Sequence, residues 1–532
     1  MLALKRSTGL TRTLQRNTSA FQWIQRTQRR GIAIQRLNDE KDDRERVIVL
    51  GSGWAGYTLA RDLDPKKYQV VIVSPRSYFV FTPLLASTSV GTLEFRTALE
   101  PVRSKRARGQ FFQGWADGVD FDKKTLSVEE NVEDELQSLA LAGPRDDHLS
   151  PAQRAREKQV EVKKGKLFDM TWDKLIIAVG CYSQTFNTKG VREHAYFLKD
   201  VGDARNIRNR TLQCFETAAL PTTSEEMKKQ LLNFAVVGGG PTGIEWSAEL
   251  HDIVNEDMKK LYPDLIKYVN ITVYDVAPKV LSMFDDRLGE YAMNHFARQG
   301  ISIQTNHHVE ELRLGAPGAV QNEAEDAKHT ASCYTLKTKE EGEIGIGMCV
   351  WSTGLMTNPF VEKLKGRVKR DPKTGGLFTN DRLQAKREDD SVVQDVYALG
   401  DCAVLEGTAY PATAQVASQK ATWLAKRFNK GDLGQSGFTY VCTPSPPLLM
   451  QSRKIPTANP SPRNRYKDLG VMAYLGNWNA ILQSQGGDIS GRLAWFIWRG
   501  AYLTKSVSWR NKILIPIYWA LNWAFGRDIS RF

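Results

Sequence analysis

Two stretches of this 532-residue chain have the spacing of a phosphate cradle. Gly51-Ser52-Gly53-Trp54-Ala55-Gly56 and Gly238-Gly239-Gly240-Pro241-Thr242-Gly243 both read G-x-G-x-x-G. In such a run the first glycine allows a tight turn. The second lets the backbone approach a pyrophosphate, and the third lets helix and strand pack closely. The N–H groups opening the next helix then face the phosphates. A dinucleotide site also uses an acid at the end of the following strand to accept from a ribose hydroxyl. Asp275 stands there in the second copy, and its charge would repel a 2′-phosphate and so select NADH over NADPH. The first copy has Ser74, which keeps a hydroxyl and gives up the charge. A further candidate is Gly400-Asp401, where a carboxylate follows the apolar run Val396-Tyr397-Ala398-Leu399. Two glutamines, Gln415 and Gln419, follow in Ala-Gln-x-Ala-x-Gln, where a helix is expected to continue to about Arg427.

These groups need strands and helices to hold them. Arg46-Val47-Ile48-Val49-Leu50 reads as a buried strand before the first cradle, and residues 57–63 as the helix after it. Residues 232–237 and 244–254 do the same for the second. Each copy is followed by another apolar strand ending in glycine, 173–179 before Gly180 and 349–353 before Gly354. Two copies of one plan, with Asp395 to Asp401 after the second, predict one dinucleotide-binding domain inserted in another. The fold class is therefore α/β with two Rossmann-like domains and a C-terminal helical segment. The boundaries expected are 46–225 and 355–440 for the outer domain, 226–354 for the inner, and 441–532 for the tail. Tyr78-Phe79-Val80-Phe81-Thr82-Pro83-Leu84-Leu85 serves equally as a wall for a flat ring system or as ordinary core. Residues 129–166 read as a solvated insertion, and the six prolines of 443–467 as a linker or long surface loop.

The net charge of +13 sits at the two ends. Residues 1–38 carry eight Lys/Arg and no acid, and residues 492–532 carry seven and one, so the body is nearly neutral. That distribution argues against nucleic acid. The basic, Ser/Thr-rich start reads as a mitochondrial transit peptide. The end mixes Arg and Lys with Trp495, Trp498, Tyr502, Trp509, Tyr518, Trp519 and Trp523. Its longest uncharged run is too short to span a bilayer, so it reads as interfacial helices on a membrane surface, or as a Trp-rich dimer interface. Six cysteines form no CxxC or CxxxxC, and seven histidines no metal-spaced set, so neither a disulfide framework nor a metal site is expected.

With these motifs in hand, the chain resembles the fungal-type type II (alternative, rotenone-insensitive) NADH:ubiquinone oxidoreductases of mitochondria, from about Arg46 to the C-terminus. Residues 51–56, 81–85, 238–245, 395–401 and 413–419 carry the resemblance. It implies FAD on the first cradle, with Gly51, Ser52, Gly53, Trp54, Ala55, Gly56, Ser74, Pro83, Ala178, Gly180, Gly400 and Ala414 around it and Asp401 on the ribityl chain. It implies NADH on Gly238, Gly240, Pro241, Thr242, Gly243, Asp275 and Gly354, with Glu245 near the nicotinamide. Gln415 and Gln419 would lie between flavin and quinone. The implied activity is non-proton-pumping reduction of ubiquinone by a homodimer on the inner membrane. The lack of an apolar sorting segment after the leader favours the matrix side. No D-x-[DN]-x-[DN]-G run is present, so calcium control is not expected. The rival readings are a disulfide reductase, a sulfide:quinone oxidoreductase, for which Cys181 and Cys349 are the available cysteines, and an NADH-sensing flavoprotein of the apoptosis-inducing-factor type.

Overall fold

In the computed structural model, residues 34–104, 109–131, 165–318, 333–408, 410–434, 440 and 466–531 are described. The leader, most of the 129–166 insertion and nearly all of the proline-rich loop lie outside them, as does Cys442. Chain order gives β1 (Glu45–Leu50), α1 (Trp54–Asp62), β2 (Tyr68–Ser74), β3 (Gln110–Asp120), β4 (Lys174–Ile177), β5 (Asn233–Val237), α2 (Pro241–Ile253), β6 (Asn270–Asp275), β7 (Ile301–Thr305), β8 (Met348–Trp351), β9 (Val392–Ala398), α3 (Ala414–Lys430), β10 (Val471–Gly476), β11 (Asn479–Ser484), β12 (Gly487–Gly491), α4 (Arg492–Lys505) and α5 (Trp509–Phe525).

The centre of the larger sheet runs β9–β4–β1–β2–β3, all parallel. Strands β1 and β4 are β-branched and aliphatic because both faces of a parallel sheet are covered. One face packs Val47, Val49 and Ile176 under α1 and α3; the other packs Ile48, Leu50 and Ile177 around Leu37 and Phe360. The smaller sheet runs β8–β5–β6–β7, again parallel, with Tyr196–Phe197 added beside β8. That extra strand precedes residue 226, the expected start of the inner domain. Strand β9, far along the chain, closes the first sheet beside β4. The second Rossmann-like unit is therefore inserted in the first.

The C-terminal hairpin β10–β11 packs on α2, where Tyr474 and Ile481 join the same core as Trp246. Helix α5 is tied down along its length. Glu100 accepts from Ser508 N and Asn511 Nδ2, both at 2.9 Å. Asn522 Nδ2 donates to Gly91 O and Thr92 O, and Arg527 pairs with Glu256 and Asp257 at 2.7 and 2.6 Å. The tail aromatics do not all face outward as an interfacial reading would have it. Trp495 and Trp498 are core residues, Trp498 stacking on Tyr474 at 5.2 Å, whereas Trp509 and Trp523 are exposed. Along α5, Trp509, Ile513, Ile517, Leu521 and Phe525 are all exposed at four-residue spacing. Residues at that spacing form one stripe on a helix. Among the described residues no helix is long and apolar enough to cross a membrane.

Candidate active site between two phosphate cradles

The glycines divide the work as their spacing requires. A Cβ on Gly56 would meet Gly51 O at 2.0 Å, and one on Gly243 would meet Gly238 O at 2.0 Å, so both seat helix against strand. Gly53 and Gly240 have nothing within 4 Å of a built Cβ, which leaves each cradle open on the side a pyrophosphate would take.

The first cradle opens on a cavity of about 370 Å³. Ser52, Gly53, Trp54, Ala55, Ser74, Ala178, Gly180, Gly400, Asp401 and Ala414 all line it, together with Gly51. The cavity brings the cradle backbone together with the carboxylate that follows β9, a donor and acceptor set that suits FAD. Ser74 is buried and shares a hydrogen bond with Ser52 at 3.0 Å, so its hydroxyl braces the cradle. Asp401 accepts from Cys181 Sγ at 3.3 Å, and Lys199 Nζ reaches the same sulfur at 3.4 Å. Burial pushes the Cys181 thiol up to about 11, so it stays protonated and inert. The described cysteines are all free, and Cys349 lies inside strand β8. Arg76 and Lys199 also line this cavity and carry no motif that would single them out; Arg76 pairs with Asp200 at 3.3 Å.

The loop 78–85 does both things asked of it. Tyr78, Val80 and Thr82 line the cavity, while Phe79, Phe81 and Leu84 form a core with Ile515 of α5. Trp54 braces the loop edge-on to Phe79 at 5.0 Å and donates to Thr82 Oγ1 at 3.1 Å.

The second cradle carries its acid as expected. Asp275 accepts from Gly239 N at 2.5 Å and Ala277 N at 2.7 Å at the end of β6. Gly354 has φ +74° and packs against Gln184 and Phe186, so its role is the turn itself.

Glu245 lies one turn into α2 and lines a cavity of about 210 Å³ with Thr242 of the second cradle, Pro83 of the aromatic loop and Tyr502 of α4. Tyr474 N and Trp498 Nε1 both donate to its Oε1 at 3.2 Å. Burial outweighs these two donors, and nearby Glu249 adds to it, so the Glu245 carboxyl is pushed up to about 8. Oε2 has no donor among the described residues and is the atom placed to carry the proton.

Gln415 and Gln419 line neither of these two cavities. Gln419 Nε2 donates to Lys467 O at 2.8 Å and its Oε1 accepts from Lys467 N at 2.9 Å. Gln415 does the same with Gly470 O at 3.0 Å and Leu469 N at 3.2 Å. One turn apart on α3, both side chains pair with the backbone that leads into β10. Spacing alone could not show this, because the partner segment is remote in sequence.

Residues 45–421 match the pyridine nucleotide-disulphide oxidoreductase family, and residues 469–528 match the NDH2 C-terminal domain. The chain is 36% identical, over 92% of its length and 89% of the relative's, to "Internal alternative NAD(P)H-ubiquinone oxidoreductase A1, mitochondrial" of Solanum tuberosum. It is 34% identical, over 92% and 82%, to "External NADH-ubiquinone oxidoreductase 2, mitochondrial" of Saccharomyces cerevisiae. Its fold is similar to that of NDH2 from Plasmodium falciparum in complex with NADH, with TM-score 0.71, 23% identity and coverage of 92% and 100%. These likenesses, the paired cradles and the C-terminal module together place the chain in the pyridine nucleotide-disulphide oxidoreductase family, among the mitochondrial type II NAD(P)H–ubiquinone oxidoreductases.

Proposed function

We propose that this chain oxidises NADH and reduces ubiquinone by two electrons on the surface of the inner mitochondrial membrane, with FAD as its cofactor and without pumping protons. The observation that carries the reading is the Glu245 cavity, bounded at once by the NADH cradle, the FAD-side loop and the C-terminal helix α4. FAD held on the first cradle would supply the electron chemistry, hydride acceptance and two-electron transfer.

The chain's own residues bind, orient and move protons. The cradle at residues 51–56 and the start of α1 would hold the FAD pyrophosphate and Asp401 the ribityl chain, with Ala414 in the same cavity and Pro83 in the Glu245 cavity beside it. The cradle at 238–243 and Asp275 hold NADH. The balance NADH + H⁺ + quinone → NAD⁺ + quinol takes up one proton. Glu245, with a pKa of about 8, holds one at neutral pH on Oε2 and gives it to a quinone oxygen. Gln415 and Gln419 fix the segment leading into β10, and β10 supplies the Tyr474 N–H bound to Glu245. They therefore act on the quinone step by positioning.

The exposed stripe of α5, with Leu493 and Phe496 of α4, lies on the membrane surface or in a homodimer interface, and its basic neighbours suit anionic headgroups. The acid-free leader directs the chain to mitochondria, and the matrix side is the favoured face. Support for the compartment comes from relatives whose names carry "mitochondrial", in both internal and external forms. Steady-state NADH oxidation with a short-chain quinone tests the proposal: rotenone-insensitive turnover is expected, and failure of the quinone to accept electrons overturns it.

A further inference from the structure

Lys420 lies on α3 and is only 3% exposed. Its ammonium has no hydrogen-bond acceptor and no carboxylate partner among the described residues. The ring of Tyr410 lies 4.8 Å from Nζ, and the Cys402 thiol is a further neighbour. A buried charge left this way is costly, and proteins normally pair it. Lys420 lines a cavity of about 440 Å³ that adjoins the first cradle's cavity at Cys181, Gly400 and Asp401.

The other charged groups of that cavity do not serve it. Arg370 is bound by both terminal nitrogens to Glu362 at 2.7 Å. Asp401 is directed at Cys181 Sγ. Cys402, buried behind the turn, is pushed up to about 12 and stays neutral. Lys373 adds a second cation at the rim, and Thr374 and Thr413 add hydroxyls, against apolar walls of Met356 and Val416.

We propose that this cavity is an anion site in which Lys420 binds the carboxylate or phosphate group of a small molecule, with Lys373 at its mouth. The cavity shares Cys181, Gly400, Asp401, Ala412 and Ala417 with the first cradle's cavity but is lined by no glycine of either cradle, so its ligand sits beside the FAD site and not on a phosphate cradle. An anion there sits beside Asp401 and offers a means of tuning the flavin site. The inference stands whether or not the electron acceptor is a quinone.

The test is calorimetric titration of the full-length, FAD-loaded chain with inorganic phosphate and, separately, with succinate, which tells the two sources of anionic oxygen apart. Saturable binding of at least one is expected, weakened about tenfold or more in Lys420→Met and retained in Lys420→Arg. Lys420→Met should also raise Tm in anion-free buffer, because it removes an uncompensated charge, and should lose the further rise that the anion gives the wild type. Absence of saturable binding by either anion overturns the proposal. So does equal binding by wild type and Lys420→Met. Loss of FAD from Lys420→Met, read as the flavin-to-protein ratio, would assign Lys420 to the cofactor and overturn it as well.

Discussion

The indole N–H of Trp498 donates to Glu245 Oε1 at 3.2 Å, tying the helix of the NADH cradle to the first C-terminal helix. This bond favours the ionised carboxyl, so it holds the Glu245 pKa below the value burial alone would give. Trp498→Phe keeps a ring against Tyr474 and Tyr502 and loses the donor. The alkaline limb of the pH profile for quinone reduction should then move up by about one unit. An unmoved limb would mean that Glu245 is not the titrating group.

Glu245 also makes a stability prediction. Its carboxyl titrates near 4.5 when unfolded and about 8 when folded. Between those values the native state holds more protons, so stability falls as pH rises across the window. Glu245→Gln should flatten that slope in a plot of Tm against pH, and should slow quinone reduction while sparing hydride uptake from NADH.

Asp275 accepts two backbone N–H groups at the end of β6, beside the second cradle. Asp275→Ser should raise the ratio of kcat/KM for NADPH to that for NADH by about tenfold, since a repelling charge is removed. It should also lower Tm, because a hydroxyl satisfies one of the two donors at most.

Asp401 and Gln419 belong to one turn-and-helix unit yet should fail differently. Asp401→Ala should lower the flavin-to-protein ratio. Gln419→Ala loses two hydrogen bonds to Lys467, about 1 kcal/mol each. It should keep its flavin and its reduction by NADH, and be slower in reoxidation by quinone. Loss of flavin from both variants would show that Gln419 serves the cofactor cavity.

The stripe on α5 predicts a membrane phenotype. Ile513→Glu with Ile517→Glu should reduce sedimentation with anionic vesicles and leave turnover with a water-soluble quinone intact. Unchanged sedimentation would assign the stripe to contact between two copies of the chain.

The backbone of both cradles could be read in advance, and for a local reason. The requirements of a phosphate cradle fall on neighbouring residues, so Gly53, Gly56, Gly240 and Gly243 announce both spacing and role, and Asp275 and Asp401 follow from strand ends. The rest depends on contacts distant in sequence. Trp498 reads as a membrane aromatic because nothing near it shows that Glu245 lies across from it. The backbone partners of Gln415 and Gln419, at 467–470, could not be read because they follow a long proline-rich stretch. Residues 196–197 join the second sheet although they precede its cradle, since a two-residue strand has too little pattern to be seen.

The most direct test is rapid mixing of the NADH-reduced, FAD-loaded chain with a short-chain quinone under anaerobic conditions, followed by flavin absorbance. The account predicts rapid return of the oxidised spectrum in the wild type and slower return in Glu245→Gln, with equal reduction by NADH in both. A flavin that NADH reduces and quinone leaves reduced would contradict it.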